Sequence, residues 1–265
     1  MSIWLTIPSA RPFEEAEPVL KLWKERGYKI AIFRDLKTLD DPSRWRDVVN
    51  CVSYDTPYPG YAQVVNRMIR VTIMHDPAAE WFVTGGDDTE PDLNHTAEEI
   101  ARQCSNYFCQ SPRLSKVSIA SPELNPMGFS GLHPGPAYRT FGVMQPTGDR
   151  FSEGSIDRIC GSPWIGREFA LRTYGGNGPY WPEYKHMFVD EELQEVALKL
   201  GVLWQRRDLV HLHHHYTRIE GTDKGHEAPV PEHLKKWSTL GHWKESKAIF
   251  DERKAKGFPG HEVIG

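Results

Sequence analysis

The feature that most constrains this chain is the exchange of strand-like and helix-like segments through its first half. IWLTI (3–7) is a short apolar strand stopped by Pro8, and PSARP (8–12) is a loop. Phe13, Ala16, Val19, Leu20 and Trp23 then recur at helical spacing, with Glu14 and Glu15 in the first turn and Gly27 as the stop. YKIAIF (28–33) is the next strand, ending at Arg34 and Asp35. A helix over 63–74 follows the turn YPGY, and a third buried strand over 81–84 runs into Gly85, Gly86, Asp87 and Asp88. Thr96 with Glu99 three residues later is a capping box, opening a helix that carries Ile100, Cys104 and Phe108. Such alternation predicts an α/β fold with a mostly parallel central sheet, whose ligand crevice lies at the C-terminal strand ends. With no internal repeat and no Gly/Ser-rich linker in 265 residues, a single domain is expected.

The second half is less regular. KVSIA (116–120) and TFGVMQ (140–145) read as strands, and GGNGPYWPEY (175–184) as a loop of glycine, proline and aromatics. Asp190 opens a helix with Leu193, Val196, Ala197 and Leu200 inward and Gly201 as its stop. A last strand is predicted over 209–213, with His211 and His213 on one face because side chains alternate along a strand. From about Pro231 the tail reads as a polar, Lys-rich helix or two, with Trp237 and Trp243 as anchors.

Composition removes several classes. Apolar runs fall short of the roughly 18–20 residues that span a bilayer. The start has no basic segment ahead of a long apolar one, so a cytoplasmic protein is expected. Cys51, Cys104, Cys109 and Cys160 share no CxxC spacing, which argues against a disulfide framework or a zinc knuckle. A net charge of −4 is unlike the basic footprint of a non-specific nucleic-acid binder. Neither GxGxxG nor a Walker A loop occurs, which disfavours hydride transfer and P-loop phosphoryl transfer.

Three segments carry candidate chemistry. TGGDDTEPD (84–92) puts adjacent carboxylates after two glycines at a strand end, a Mg²⁺ or Mn²⁺ site or else a solvated Gly-Asp turn. VHLHHHYTR (210–218) offers imidazoles for one position on such an ion, a His-only zinc site from His211, His213 and His215, or a polar strand end. FVDEELQEVALKLG (188–201) places Asp190, with Glu191 and Glu192 behind it, at a helix start, either as an N-cap or as a base for an acceptor hydroxyl.

In this order, the three segments resemble a family 2-type glycosyltransferase with the GT-A fold, over about residues 1–218. The resemblance implies that Pro8, Ser9 and Arg11 in IPSARP, with Asp35, Asn66 and Asp87, bind a nucleotide-sugar. It implies that TGGDD stands for the DXD metal motif, that DEEL supplies the base as Asp190 or Glu191, and that HLH supplies the late metal-binding histidine. The third acidic position is missing in Asp87-Asp88-Thr89, so the metal falls to Asp88, or to Asp87 with Gly86 in the middle. The preferred assignment is Asp88 with His213 or His211 on the metal and Asp87 on ribose or sugar. MQPTGDRF, GSPWIGREFALR and GGNGPYW resemble the middle of small phage and environmental members, where Gln145, Asp149, Arg150, Trp164 and Arg167 are acceptor contacts or packing residues and Trp181 is a further acceptor candidate.

The expectation is therefore a Mn²⁺- or Mg²⁺-dependent transferase. It would move a sugar from a nucleoside-diphosphate sugar, UDP-sugar favoured, to an acceptor hydroxyl on a glycan, a small molecule or a hydroxymethylated base in phage DNA. The expected layout is a GT-A-like domain over 1–230, with a nucleotide-sugar half 1–92 and an acceptor half 93–230, and a helical extension 231–265. A nucleotidyltransferase and a non-catalytic nucleotide-sugar binding module are the rival readings.

Overall fold

A computed structural model describes residues 1–35, 41–55, 57–110, 139–151 and 157–261. Strands β1 (Ser2–Pro8), β2 (Lys29–Asp35), β3 (Cys51–Asp55), β4 (Ala79–Val83), β6 (Val143–Pro146), β7 (Trp164–Gly166) and β8 (Leu203–Arg206) form a central sheet in the order β3-β2-β1-β4-β7-β6-β8. Only β7 runs against its neighbours. A two-stranded antiparallel ribbon of β5 (Thr89–Glu90) and β9 (Leu212–His213) stands apart. The expected α/β architecture, a mostly parallel sheet flanked by helices with a helical tail, is what the chain forms.

Helices α1 (Phe13–Glu25), α2 (Tyr61–His75) and α3 (Ala97–Gln110) pack on the strands of the first half. Because β1 and β2 are covered on both faces, each is buried along its five central residues, which is why they read as apolar runs without alternation. α1 turns Phe13, Ala16, Leu20 and Trp23 inward as its spacing predicts, and Gly27 closes it at φ 90°. At the start of α3 the Glu99 N–H donates to Thr96 Oγ1 (3.3 Å) while Glu99 Oε2 accepts from the Thr96 N–H (2.8 Å), the capping box read from the sequence.

The sequence reading needs several corrections. CVSYD, LWQR and WIG are strands β3, β8 and β7, none of which was expected, so the strand over 79–83 is the fourth. β3 is half-buried along its whole length at the sheet edge, and a strand that hides neither face gives no period-2 signal. The strand expected over 209–213 shrinks to Leu212–His213, so His211 and His213 do not share a strand face. KVSIA lies outside the described residues.

After α4 (Arg167–Arg172) comes α5 (Val189–Leu200), with Leu193, Val196 and Ala197 buried and Gly201 in the left-handed conformation at its end. The tail supplies α6 (Glu232–Lys235) and α7 (Leu240–Ala255). Trp237 packs its ring on Tyr58 and Trp243 on Phe188, while a buried ion pair secures α7 to α5. Glu192 accepts from Arg253 Nη2 (2.7 Å) and Nε (2.9 Å) and from the hydroxyls of Tyr174 and Tyr184 (both 2.7 Å). The Arg253 guanidinium lies 3.7 Å over the Trp181 ring.

Removing one partner of such a pair strands a charge in the interior. Arg253→Met is expected to destabilise the protein by about 3–5 kcal/mol, and Glu192→Leu combined with Arg253→Met by less than the sum of the single losses. Chemical denaturation of the three variants measures both; additive losses would show that the two side chains act independently.

Candidate functional site

The chain lays down β1, β2 and β3 outward in one direction and then returns to place β4 on the other side of β1. The two loops leaving the C-terminal ends of β1 and β4 therefore diverge at a topological switch point, where a parallel sheet opens its ligand crevice. These loops carry Ser9, Arg11, Asp87 and Asp88, and the four side chains meet there.

Asp87 is buried and takes Ser9 Oγ (2.7 Å) and Arg11 Nε (3.0 Å) on its two oxygens. Burial raises its carboxyl above the ordinary value, against the lowering effect of those bonds. Arg11 turns its Nη2 to Asp88 Oδ2 (2.8 Å), leaving Oδ1 facing His213 Nε2 at 3.4 Å. Burial pushes the Asp88 carboxyl up as well, but the His213 hydrogen bond and the charges of His213 and Arg11 outweigh it and hold the group at about 2. Gly86 leaves room for this carboxylate: a Cβ at that position would come within 2.4 Å of Asp88 Oδ1 and push it aside. The β5–β9 ribbon makes this meeting possible: Thr89 is opposite His213, and the His214 N–H donates to the Asp88 carbonyl (2.8 Å).

Among the described residues, no three His, Cys, Asp or Glu side chains converge as a metal cage. One carboxylate oxygen and one imidazole nitrogen do converge, at Asp88 and His213. That donor pair fits Mg²⁺ or Mn²⁺ as such ions are held in nucleotide sites, by one or two protein ligands with phosphate oxygens and water in the remaining positions. It does not fit zinc held by three histidines, because His211 turns into the core. His211 Nδ1 lies 2.9 Å from Ser162 Oγ, the ring meets Trp23 edge-on, and Nε2 is buried without a hydrogen-bond partner among the described residues. His215 instead contacts Thr217, Tyr216 and the ring of His213.

Asp190 approaches the same strand end from α5. The Tyr61 hydroxyl donates to the Gly85 carbonyl (3.2 Å), and the Thr84 and Tyr180 hydroxyls share a 2.7 Å hydrogen bond. Tyr61 is pushed up to about 12, by burial first and with the Asp190 charge adding to it. Tyr180, Cys160 and His186 also feel the Asp190 charge. The N-cap of α5 is Phe188, at φ 66° and without a side-chain cap, so Asp190 occupies the second helical position and does not serve as N-cap. Burial, and after it the neighbouring Asp190 carboxylate, drive the Glu191 carboxyl well up.

The remaining expected residues are spread more widely. Pro8 ends β1, and Asp35 ends β2 in register with Asp55, one strand out from the switch point. Asn66 spends both ends of its amide on the Tyr180 backbone (2.7 and 3.1 Å). The acceptor candidates lie among other contacts. Trp164 is fully buried in β7 with its ring edge-on to Tyr28, and Trp181 lies beneath Arg253. Arg167 donates to the carbonyls of Pro77 and Ala79 at the N-terminal end of β4, the far side of the sheet from Asp88. Tyr61, Ser162, Tyr180 and His186 were missed, because nothing in their local sequence marks them apart from other loop aromatics and polar residues.

No protein-family profile matches the chain, and no curated protein matches it in sequence. Among solved structures, residues 1–349 of TarS from S. aureus match at a TM-score of 0.43 and 11% identity, covering 80% of this chain. The match spans 59% of that chain. The functional reading rests on the geometry of the site itself.

His211 supplies a pH test of this geometry. Burial pushes its imidazole down to about 4, so the folded protein keeps it neutral where the unfolded chain, titrating near 6.5, binds a proton. Stability is therefore intact above about pH 6.5 and falls as pH drops toward 4, by about 3 kcal/mol from this group. His211→Asn is expected to flatten that limb. Denaturant midpoints from pH 7 to 4 read the slope whatever the variant's absolute stability, and equal slopes would place His211 in water.

Proposed function

We propose that this chain is a glycosyltransferase that moves a sugar from a nucleoside-diphosphate sugar, with UDP as the favoured nucleotide, to an acceptor hydroxyl, using Mn²⁺ or Mg²⁺. The observation that carries the reading is the convergence at the switch point of the Asp88 carboxylate, the His213 imidazole and Arg11, with the Asp190 charge felt by Tyr61 and Tyr180, whose hydroxyls bond residues 85 and 84. When bound, the divalent ion neutralises charge on the departing diphosphate.

The protein's own groups supply the rest. Asp88 and His213 hold the ion, and Arg11 adds a fixed cation beside it for phosphate oxygens. Asp87 keeps Ser9 and Arg11 in place. Asp190 accepts the proton of the acceptor hydroxyl as that oxygen attacks the anomeric carbon. The C-terminal strand ends position donor and acceptor together, which converts their encounter into an oriented one.

The deciding assay incubates the protein with a panel of nucleotide sugars, Mn²⁺ or Mg²⁺, and acceptors that include glycans and DNA containing a hydroxymethylated base. A released nucleoside diphosphate supports glycosyl transfer. Pyrophosphate would assign a nucleotidyltransferase, and an intact donor throughout would assign a binding module.

Two substitutions sharpen the assay. Asp190→Asn removes the base with no loss of a cap, so donor binding should persist while turnover drops by about 10²–10⁴. Wild-type turnover in that variant would remove Asp190 from the chemistry. Asp88→Ala is expected to abolish metal-dependent donor binding with the fold retained, measured by calorimetry against the metal and nucleoside diphosphate together; unchanged affinity would take Asp88 out of the site.

A further inference from the structure

His213 sits in a ribbon of two residues per strand, too short to hold a side chain in one direction unaided. Its backbone is gripped from the other side. The His213 N–H donates to Asp149 Oδ2 (3.0 Å), and its carbonyl accepts from Arg218 Nη1 (2.9 Å). Asp149 and Arg218 are themselves joined by two parallel bonds, Nη1 to Oδ2 and Nη2 to Oδ1, both 2.8 Å. Their side chains are 7% and 8% exposed, whereas that of His213 is 43% exposed toward the crevice.

The pair is assembled from two distant segments. Beyond β6, Gly148 lies so close to the 209–210 backbone that a Cβ would come within 2.5 Å of the Leu209 carbonyl, and this close approach brings Asp149 alongside the residues leading into β9. Asp149 Oδ1 also accepts from the Phe151 N–H (3.1 Å). Arg218 is steadied by bonds from Nε to the Thr222 carbonyl (2.9 Å) and from Nη2 to Asp223 Oδ1 (3.0 Å). A buried ion pair contributes little net stability compared with an apolar pair of the same shape, but its forked geometry fixes orientation.

We infer that the Asp149–Arg218 ion pair is a positioning device that aims the His213 imidazole at Asp88 by holding both backbone polar groups of His213. The inference rests on the reading above in which Asp88 and His213 receive the divalent ion. Neither Asp149 nor Arg218 touches the ion; each acts through the backbone of the residue that does. Partners of this kind typically change metal affinity by about 10–100-fold when altered.

The test titrates Mn²⁺, with UDP in excess, into the full-length protein and follows free Mn²⁺ by electron paramagnetic resonance. Asp149→Asn, which keeps an acceptor for the N–H but loses the charge, and Arg218→Lys, which keeps the charge but loses the fork, are each expected to weaken Mn²⁺ binding by roughly 10–100-fold. Asp223→Ala removes only the outer contact of Arg218 and is expected to leave Mn²⁺ binding unchanged. His213→Ala is the reference. Wild-type affinity in folded Asp149→Asn and Arg218→Lys, with His213→Ala weakened, overturns the positioning role and leaves the metal reading standing. Wild-type affinity in His213→Ala as well overturns both.

Two further readouts separate aiming from mere stability. In the folded variants the His213 ring resonances should broaden or shift toward a freely rotating imidazole, and unchanged resonances would overturn the inference. If neither variant folds, amide hydrogen exchange in the unaltered protein decides: the His213 N–H should exchange slowly, and exchange at the rate of an open loop would overturn it.

Discussion

The crevice depends on the neutralisation of one buried carboxylate. Asp87 leaves water at the point where the sheet reverses direction, and an acid withdrawn in that way must be hydrogen-bonded or protonated. Its partners, Ser9 and Arg11, come from the loop after β1, so satisfying Asp87 fastens that loop to the one after β4. Arg34, at the end of β2, extends the tie: its Nη1 reaches the Arg11 carbonyl (2.8 Å) and the Ser9 carbonyl and hydroxyl (both 3.3 Å), while Trp45 covers the guanidinium. Three strand ends are thereby fixed relative to one another before any ligand arrives. Arg11, held on one side by Asp87, can meet Asp88 from one direction only, which leaves Oδ1 directed at His213.

The opposite wall is fixed by different chemistry. Tyr61 and Tyr180 attach α2 and the loop before α5 to residues 84 and 85, and Asn66 holds the Tyr180 backbone at both its donor and its acceptor. α5 is set from behind by the bonds that Glu192 receives from Tyr174, Tyr184 and, out of α7, Arg253. Asp190 and Glu192, two residues apart, therefore serve opposite ends of the design. One carboxylate lies near Tyr61 and Tyr180, and the other is consumed in attaching the tail. The acidic run DEEL reads uniformly in sequence because the difference between its members lies in what each side chain finds across space.

That contrast explains what was legible in the chain. The strands and helices of the first half were readable because each buries a continuous run or a 3.6-residue stripe, and the capping box at Thr96 and Glu99 is a purely local device. β3 and β8 were not readable, since a half-buried edge and a four-residue strand carry no period. The adjacency of Asp88 and His213 was expected as a pairing of two motifs, yet the choice between His211 and His213 rested on a strand that proved shorter. Two residues of ribbon, preceded by a segment that turns inward, send His211 beneath Trp23 and leave His213 at the crevice. Asp149 and Arg218 were unreadable as partners, because nothing in GDRF or YTRI marks two side chains, 69 positions apart, that will pair with each other around the His213 backbone.

The distribution of charge bears on how the proposed ion would arrive. Two aspartates, one arginine and a histidine already face one another, so Asp88 is not an unsatisfied anion waiting for a cation. A divalent ion alone would enter beside the Arg11 guanidinium and gain only the part of Asp88 that Arg11 and His213 give up. A nucleoside diphosphate brings negative charge that both the ion and Arg11 can share, which offsets their mutual repulsion and offers Arg11 a phosphate oxygen for the one bond it makes to Asp88 while its bond to Asp87 holds it in place. On the proposed reading, metal and nucleotide therefore bind as one charge-balanced unit, each far weaker without the other.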